Sequence, residues 1–400
     1  MHLRHLLPWL VTTLLPAQVA LADLPQLARS RAERARPGQE KALQPFWVDL
    51  ALDYHENQQF LDPRIAQAAA LGDSVVPLLL EKLQPSQGGV DARRLAGNCR
   101  RVLERLDPAS FVEALVELVN GKNEIGRAEA IRLLGHANSP QSVRLLVDLI
   151  DRTTGEERRL VLRSLRQLKT PEAAIKVVGL LGSSDRTVRE DVLNYLIAAR
   201  AGAVAETVAE AASTEKDDKL LPYYVDYFAA AVHESDSGAR ALLALLGERL
   251  GWQDTLRLVQ SLGTVAPRGH EPTCRRLLEL LESGETSGLG VQAAVTLRAL
   301  GDGRGVTKLK RTLDELLKKP QRKRDATLFE QRASLAFAIE DYADAVADYE
   351  RILEFSDGMA MTRRAHIGLI RSEVRRRKWQ NVTKAMKNST FTVAEIEGLG

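Results

Sequence analysis

His55-Glu56 is the first place along the chain where chemistry could reside. A zinc-hydrolase helix needs a second His four residues after the first, so that both imidazoles lie on one face. Position 59 is Gln59, and the pair reads as the exposed polar face of a helix. Gly288-Leu289-Gly290-Val291-Gln292-Ala293 has the glycine spacing that brings a pyrophosphate to a helix N-terminus. That geometry requires a preceding strand. Helical sequence and a Glu285-Thr286-Ser287 turn come before it, so it reads as a turn between helices. Gly121-Lys122 lacks the upstream glycine of a phosphate loop, and no Gly-x-Ser-x-Gly turn occurs. His136, His233, His270 and His366 fall in different segments, without Cys or carboxylate at ligand spacing. No catalytic, cofactor or metal site is expected.

Charge is the other chemistry. Arg94, Arg127, Arg158 and Arg189 recur at nearly constant spacing, each opening a helix, with Asp91, Glu124, Glu156 and Asp185 a few positions earlier. The pattern suggests a ladder of loop-to-helix ion pairs, or else a basic stripe for an acidic partner. Two clusters, Arg322-Lys323-Arg324 and Arg375-Arg376-Arg377-Lys378, lie in a basic tail. Residues 308–387 hold 19 Lys and Arg against 12 Asp and Glu, although the whole chain is at only +3. Such clusters suit an anionic surface or polymer, or a solvated helix face.

The elements that must position these residues are helices. The chain has 400 residues, 44% hydrophobic, 27% charged and only 5% aromatic. That composition excludes wholesale disorder and a polytopic membrane protein, and it asks for a core of Leu, Ala and Val. From about residue 71 to 317 apolar residues recur at three and four spacing, broken by short turns. Shifting the chain by 31 superposes Ile131, Leu162 and Leu193, then Leu134, Leu165 and Leu196, then Ala137, Leu168 and Ala199, then Leu146, Val177 and Val208. Each period reads as two helices that cannot bury their apolar faces alone, so stacked copies build one continuous core.

Within that array Asp185-Arg186-Thr187-Val188-Arg189, followed by Val192 and Leu196, resembles a HEAT repeat. Leu71-Gly72-Asp73 and Leu300-Gly301-Asp302 are similar to the HEAT-like variety of phycobilin lyases. The tail segment Asp341-Tyr342-Ala343-Asp344-Ala345-Val346-Ala347-Asp348-Tyr349 resembles the second helix of a tetratricopeptide repeat, with Ala333 at the small-residue position of the first. Arg332 stands where that family usually has Leu, Glu340 where it has Gly, and Asp357 where it has Pro. The resemblances imply an all-α fold: an α-α superhelix, or HEAT-like solenoid, over 46–317, a basic linker at 318–327, and a tetratricopeptide-like cap over 328–390 that docks on the end of the array. A tail over 391–400 follows.

Residues 1–22 carry Arg4, an apolar run and Ala20-Leu21-Ala22, the make-up of a secretory signal cleaved before Asp23. A loose leader over 23–45 follows. Export would permit disulfides, but Cys99 and Cys274 lie in different repeats and read as isolated buried thiols. The expected product is a periplasmic or extracellular, non-enzymatic scaffold that binds another protein on the concave face of its solenoid, with the cap as a second docking surface. The alternatives are a lyase-type HEAT-repeat enzyme or ligand carrier, or a cell-envelope attachment module acting through the basic tail. Nucleic acid is an improbable partner for an exported chain, and no transmembrane segment is expected after cleavage.

Overall fold

The computed structural model describes residues 40–387 together with Gly38, apart from 87–88, Glu248, 283–285 and Asp357. The signal reading over 1–22, most of the leader, the 391–400 tail and the departure at Asp357 lie outside the described residues. The fold is all-α: every regular element among the described residues is an α-helix or a short 3-10 turn. None of those helices is long and apolar enough to cross a membrane.

Several of the helices start where the sequence offers a side-chain acceptor for an orphaned N–H. Asp53, Asn123, Asp185, Ser235 and Asp325 cap the helices Tyr54–Ala69, Glu124–Leu134, Arg186–Ala198, Asp236–Leu245 and Ala326–Ala338, with hydrogen bonds of 2.8–3.1 Å to N–H groups two or three residues on. Each such cap is worth about 1 kcal/mol. Several helices close through a residue in the left-handed region, Arg200 (φ 48°), Gly301 (φ 91°), Glu340 (φ 68°) and Arg377 (φ 58°). In each case the next N–H reaches back to the last turn, at 2.8–3.1 Å, onto the carbonyls of Leu196, Leu297, Ala336 and Glu373. This closure satisfies carbonyls that would otherwise face the core unpaired.

The chain divides into two compact units, Met1–Leu145 and Leu146–Gly400, with the division inside the helix Pro140–Arg152. In the first unit the helices Tyr54–Ala69, Val90–Glu104 and Glu124–Leu134 pack in series, and shorter helices, Val76–Lys82 and Val112–Asn120, back them. The buried Asn98 ties the series to its first turn, donating from Nδ2 to the carbonyls of Leu50 and Leu52 at 2.9 Å each.

In the second unit two series run side by side. One comprises Gly155–Leu168, Arg186–Ala198, Leu221–Ala231, Trp252–Val265 and Gly288–Ala299; the other comprises Ala205–Thr214, Asp236–Leu245, Glu271–Glu282 and Arg304–Lys318. The columns read from the 31-residue shift lie in the core, with Leu162, Leu165, Leu193, Leu196, Val177 and Val208 fully buried; Leu168 is the exception, half-buried at the end of its helix. Gly288 and Gly290 belong to the first turn of a helix rather than to the turn before it, with Ser287 as the cap.

After Pro320 the chain folds into the helices Ala326–Ala338, Tyr342–Phe355, Met359–Arg375 and Trp379–Lys387, packed on the end of the preceding array. Three polar contacts bridge the junction: Arg298 to the carbonyl of Ile339 (2.8 Å), Lys310 to Asp344 (2.9 Å) and Arg332 to Asp314 (2.6 Å). Arg332 also clamps the buried Asp348 through Nε and a terminal nitrogen, at 2.8 and 2.6 Å. Gly368 meets the Tyr349 ring so closely that a Cβ there would lie 2.2 Å from it, so glycine is required where these helices cross.

Candidate functional site

The arginine column does not present four free charges. In the first unit Arg94 bonds the capping carboxylate of Asp53 at 3.0 Å and Asp91 more loosely at 3.4 Å. Arg127 is half-buried and has a bonding partner of its own. In the second unit Arg158 holds its Nε buried without an acceptor, and the expected partner Glu156 bonds Arg159 instead, at 2.5 Å. Arg189 turns away from Asp185, which is occupied in capping its own helix. Arg189 instead grips Glu215 from two nitrogens, at 3.0 and 3.1 Å, and donates to the carbonyl of Ser183 at 2.9 Å.

Glu215 is buried where the helix Ala205–Thr214 ends, and it also accepts the backbone N–H groups of Lys216 and Asp217 at 2.9 Å each. A buried carboxylate with this many donors is fully compensated, and removing either partner would leave a charge stranded. Arg189 is therefore a structural bridge between one helical pair and the next.

Local spacing points to partners a few residues away; most of the bridges lie one period away. Arg159 bonds Asp191 (2.9 Å), Arg186 bonds Asp217 (3.0 Å), Arg257 bonds Asp226 (2.7 Å) and Tyr223 donates to Glu190 (3.1 Å). Arg163 also approaches Asp191 (3.4 Å), and several of these side chains are half in solvent, for example Arg163 at 49%, Arg186 at 42% and Arg257 at 47%. Exposed pairs of this kind contribute about 0–1 kcal/mol each, so the line of alternating charge is cheap to disturb without unfolding the chain. The signal was present in the sequence, as opposite charges 31 or 32 residues apart.

The first unit has its own cluster. Arg100 bonds Glu104 and also Glu129 (2.7 Å), and Glu104 meets His136 Nε2 at 3.1 Å. Burial works to raise the Glu104 pKa, but the His136 hydrogen bond and the Arg100 charge outweigh it and hold the carboxyl below its ordinary value.

Beneath the polar face lies a second recurring device. Tyr195 and Tyr227 are fully buried, and their hydroxyls donate to the carbonyls of Thr170 (2.7 Å) and Ala201 (2.8 Å) in the turns one pair back. Burial raises the pKa of both phenols and of Tyr224.

One arrangement has the outline of a catalytic triad: His270 Nε2 lies 2.9 Å from Asp236, and its Nδ1 lies 2.8 Å from Thr273 Oγ1. Thr273 is completely buried in the first turn of the helix Glu271–Glu282, so its hydroxyl cannot meet a substrate and serves to fix the helix start. His55 and Glu56 are exposed on the first turn of Tyr54–Ala69. Cys99 and Cys274 are both free and buried, the first with its thiol pushed up to about 12 by burial. Among the described residues no group of three or more His, Cys, Asp or Glu side chains is placed to hold a metal.

The basic clusters sit at helix ends. Arg322 approaches Asp325 at 3.8 Å, whereas Lys323 and Arg324 are exposed beside a groove of about 630 Å3. Arg375, Arg377 and Lys378 are exposed, but Arg376 is drawn inward onto the buried Glu373 (3.3 Å), which also accepts from Asn381 (2.7 Å).

Residues 112–197 match a family model described as HEAT repeats. An engineered protein of known crystal structure, a target of the Northeast Structural Genomics Consortium, is 16% identical over 84% of this chain and 95% of its own, with a TM-score of 0.44. None of the curated proteins compared matches the chain.

Proposed function

We propose that the protein is an exported binding scaffold: a HEAT-like array that holds another protein along the exposed face of the helices Gly155–Leu168, Arg186–Ala198, Leu221–Ala231 and Trp252–Val265. The observation that carries this reading is the tandem helical pairs over the HEAT-matched residues 112–197, which continue beyond them. Such arrays keep their stability in the packing between neighbours and leave one face of each helix free to vary. Here that face carries alternating arginines and carboxylates, a surface suited to a partner of mixed charge. Export rests on the signal-like residues 1–22. The helices over 328–387 are read as a tetratricopeptide-like second docking surface. Arg332 replaces the usual Leu by pairing with Asp348, and Glu340 occupies the left-handed position at which the family has Gly.

A photo-crosslinking residue placed at Arg163 or Arg257, and as a control at Glu206 or Glu210 on the other helical series, tests the proposal in the host's envelope fraction. The expected result is one recurring protein adduct from the first pair of positions and none from the second. Adducts from the control positions alone would overturn it.

A further inference from the structure

The helix Arg304–Lys318, the short turn Pro320–Arg322 and the ends of the helices Ala326–Ala338 and Tyr342–Phe355 enclose the 630 Å3 groove at the array's junction with the C-terminal helices. Its floor is apolar: the half-buried Phe355 ring, backed by the largely buried Leu317 and Phe329, with the two ring centroids 5.6 Å apart. Its rim is cationic, formed by Lys318, Lys323 and Arg324, all exposed. The groove also contains Arg351 and Glu354, which bond each other at 2.6 Å and cancel. The positive charge of the rim is therefore left unneutralised around an aromatic floor. Resting on the scaffold reading, we infer that this groove is a docking site for an acidic protein segment that interleaves carboxylates with Phe or Leu side chains. The apolar side chains bury against Leu317, Phe329 and Phe355 while the carboxylates meet Lys318, Lys323 and Arg324. Charge complementarity selects an acidic ligand, and the aromatic floor separates a peptide of this pattern from a purely polar polyanion. The groove lies where the array meets the helices proposed above as a second docking surface, and it shares no helix with the array face at Arg163 and Arg257, so groove and face succeed or fail separately.

The test uses the full chain and labelled synthetic peptides, read by fluorescence anisotropy. One peptide interleaves Glu with Phe and Leu, a second has Ser in place of every apolar residue, and a third has Lys in place of every Glu. The first should bind, and the other two should bind at least about tenfold more weakly. The variant Lys318→Glu, Lys323→Glu, Arg324→Glu should lose about ten- to hundredfold in affinity for the first peptide with an unchanged thermal melt, since all three side chains are exposed. Equal binding by the Ser peptide would reduce the site to bulk charge and overturn the inference. Binding of phosphatidylglycerol vesicles without binding of the first peptide would assign the surface to lipid and overturn it too, as would no binding by any peptide. Crosslinks at Arg163 and Arg257 would persist in each of these cases, which keeps failure of the groove distinct from failure of the scaffold.

Discussion

The array of the second unit and the helices that follow it solve the same problem of charge between helices in opposite ways. Over 155–282 Arg159, Arg186 and Arg257 reach sideways to a carboxylate one period away, the latter two near the surface, where water shares the work. Over 326–387 two arginines turn inward, Arg332 between Asp314 and a buried Asp348 and Arg376 onto the buried Glu373, while Arg351 with Glu354 and Arg364 with Glu330 stay at the surface. Arg189 with Glu215 is the most buried of these bridges, at 14% and 5% exposed, ahead of Arg159 with Asp191 at 19% and 12%. A column of identical residues is not a column of identical functions. Burial of the acceptor decides which arginine holds the fold and which only decorates it.

The comparison breaks most visibly in the core beneath both regions. Leu165→Asp would place an unpaired charge in a fully buried column, at a cost of more than about 4 kcal/mol, and circular dichroism melts should show the loss or absence of the native transition. Next comes Arg332. The tetratricopeptide resemblance favours Leu at this position, yet Arg332→Leu alone should destabilise by about 3–5 kcal/mol because Asp348 is left buried and unpaired. Arg332→Leu with Asp348→Ala should recover most of that in urea unfolding. A single variant as stable as the wild type would mean that the buried pair contributes nothing.

Smaller effects sharpen the contrast. Tyr227→Phe removes a buried hydrogen bond to the Ala201 carbonyl and should cost about 1–2 kcal/mol. The same phenols set the alkaline limit. Tyr195, Tyr224, Tyr227 and the Cys99 thiol all have pKa values raised by burial, while the unfolded chain releases these protons at about 8.5–10. Above that range the folded state binds more protons than the unfolded one, so stability is complete below about pH 8 and falls as the pH climbs towards 12. Urea midpoints at successive alkaline pH values check this. Smallest is Glu340→Gly, which relieves a left-handed residue and should stabilise by about 0.5–1 kcal/mol in the same assay.

Much of this architecture could be read from the chain. The 31-residue shift picked out Leu134, Leu165 and Leu196, and all three are fully buried, because a column repeated at a fixed period has no reason to exist except a shared core. The bridges were harder. Asp185, four residues before Arg189, is the partner that local spacing suggests, but the helix start needs it as a cap, and the acceptor Arg189 takes is Glu215, 26 residues on. Local spacing registers competition for a side chain poorly, because the competitor is a backbone N–H that every sequence has. The junction groove was invisible for a related reason. Leu317, Phe329 and Phe355 belong to three helices, and only their packing brings them beside Lys323 and Arg324, which alone read as a run of positive charge.

Melting and partner capture measured side by side on two variants separate the buried bridge, which holds the fold, from the exposed bridges proposed to meet a partner. Arg189→Gln should lower the unfolding free energy by about 3 kcal/mol or more, yet capture partner normally per folded molecule at a temperature where it remains native. Arg163→Glu with Arg257→Glu should leave the melt within about 1 kcal/mol of wild type and abolish capture. The reverse outcome, capture lost with Arg189→Gln alone and retained by the surface pair, would contradict the account.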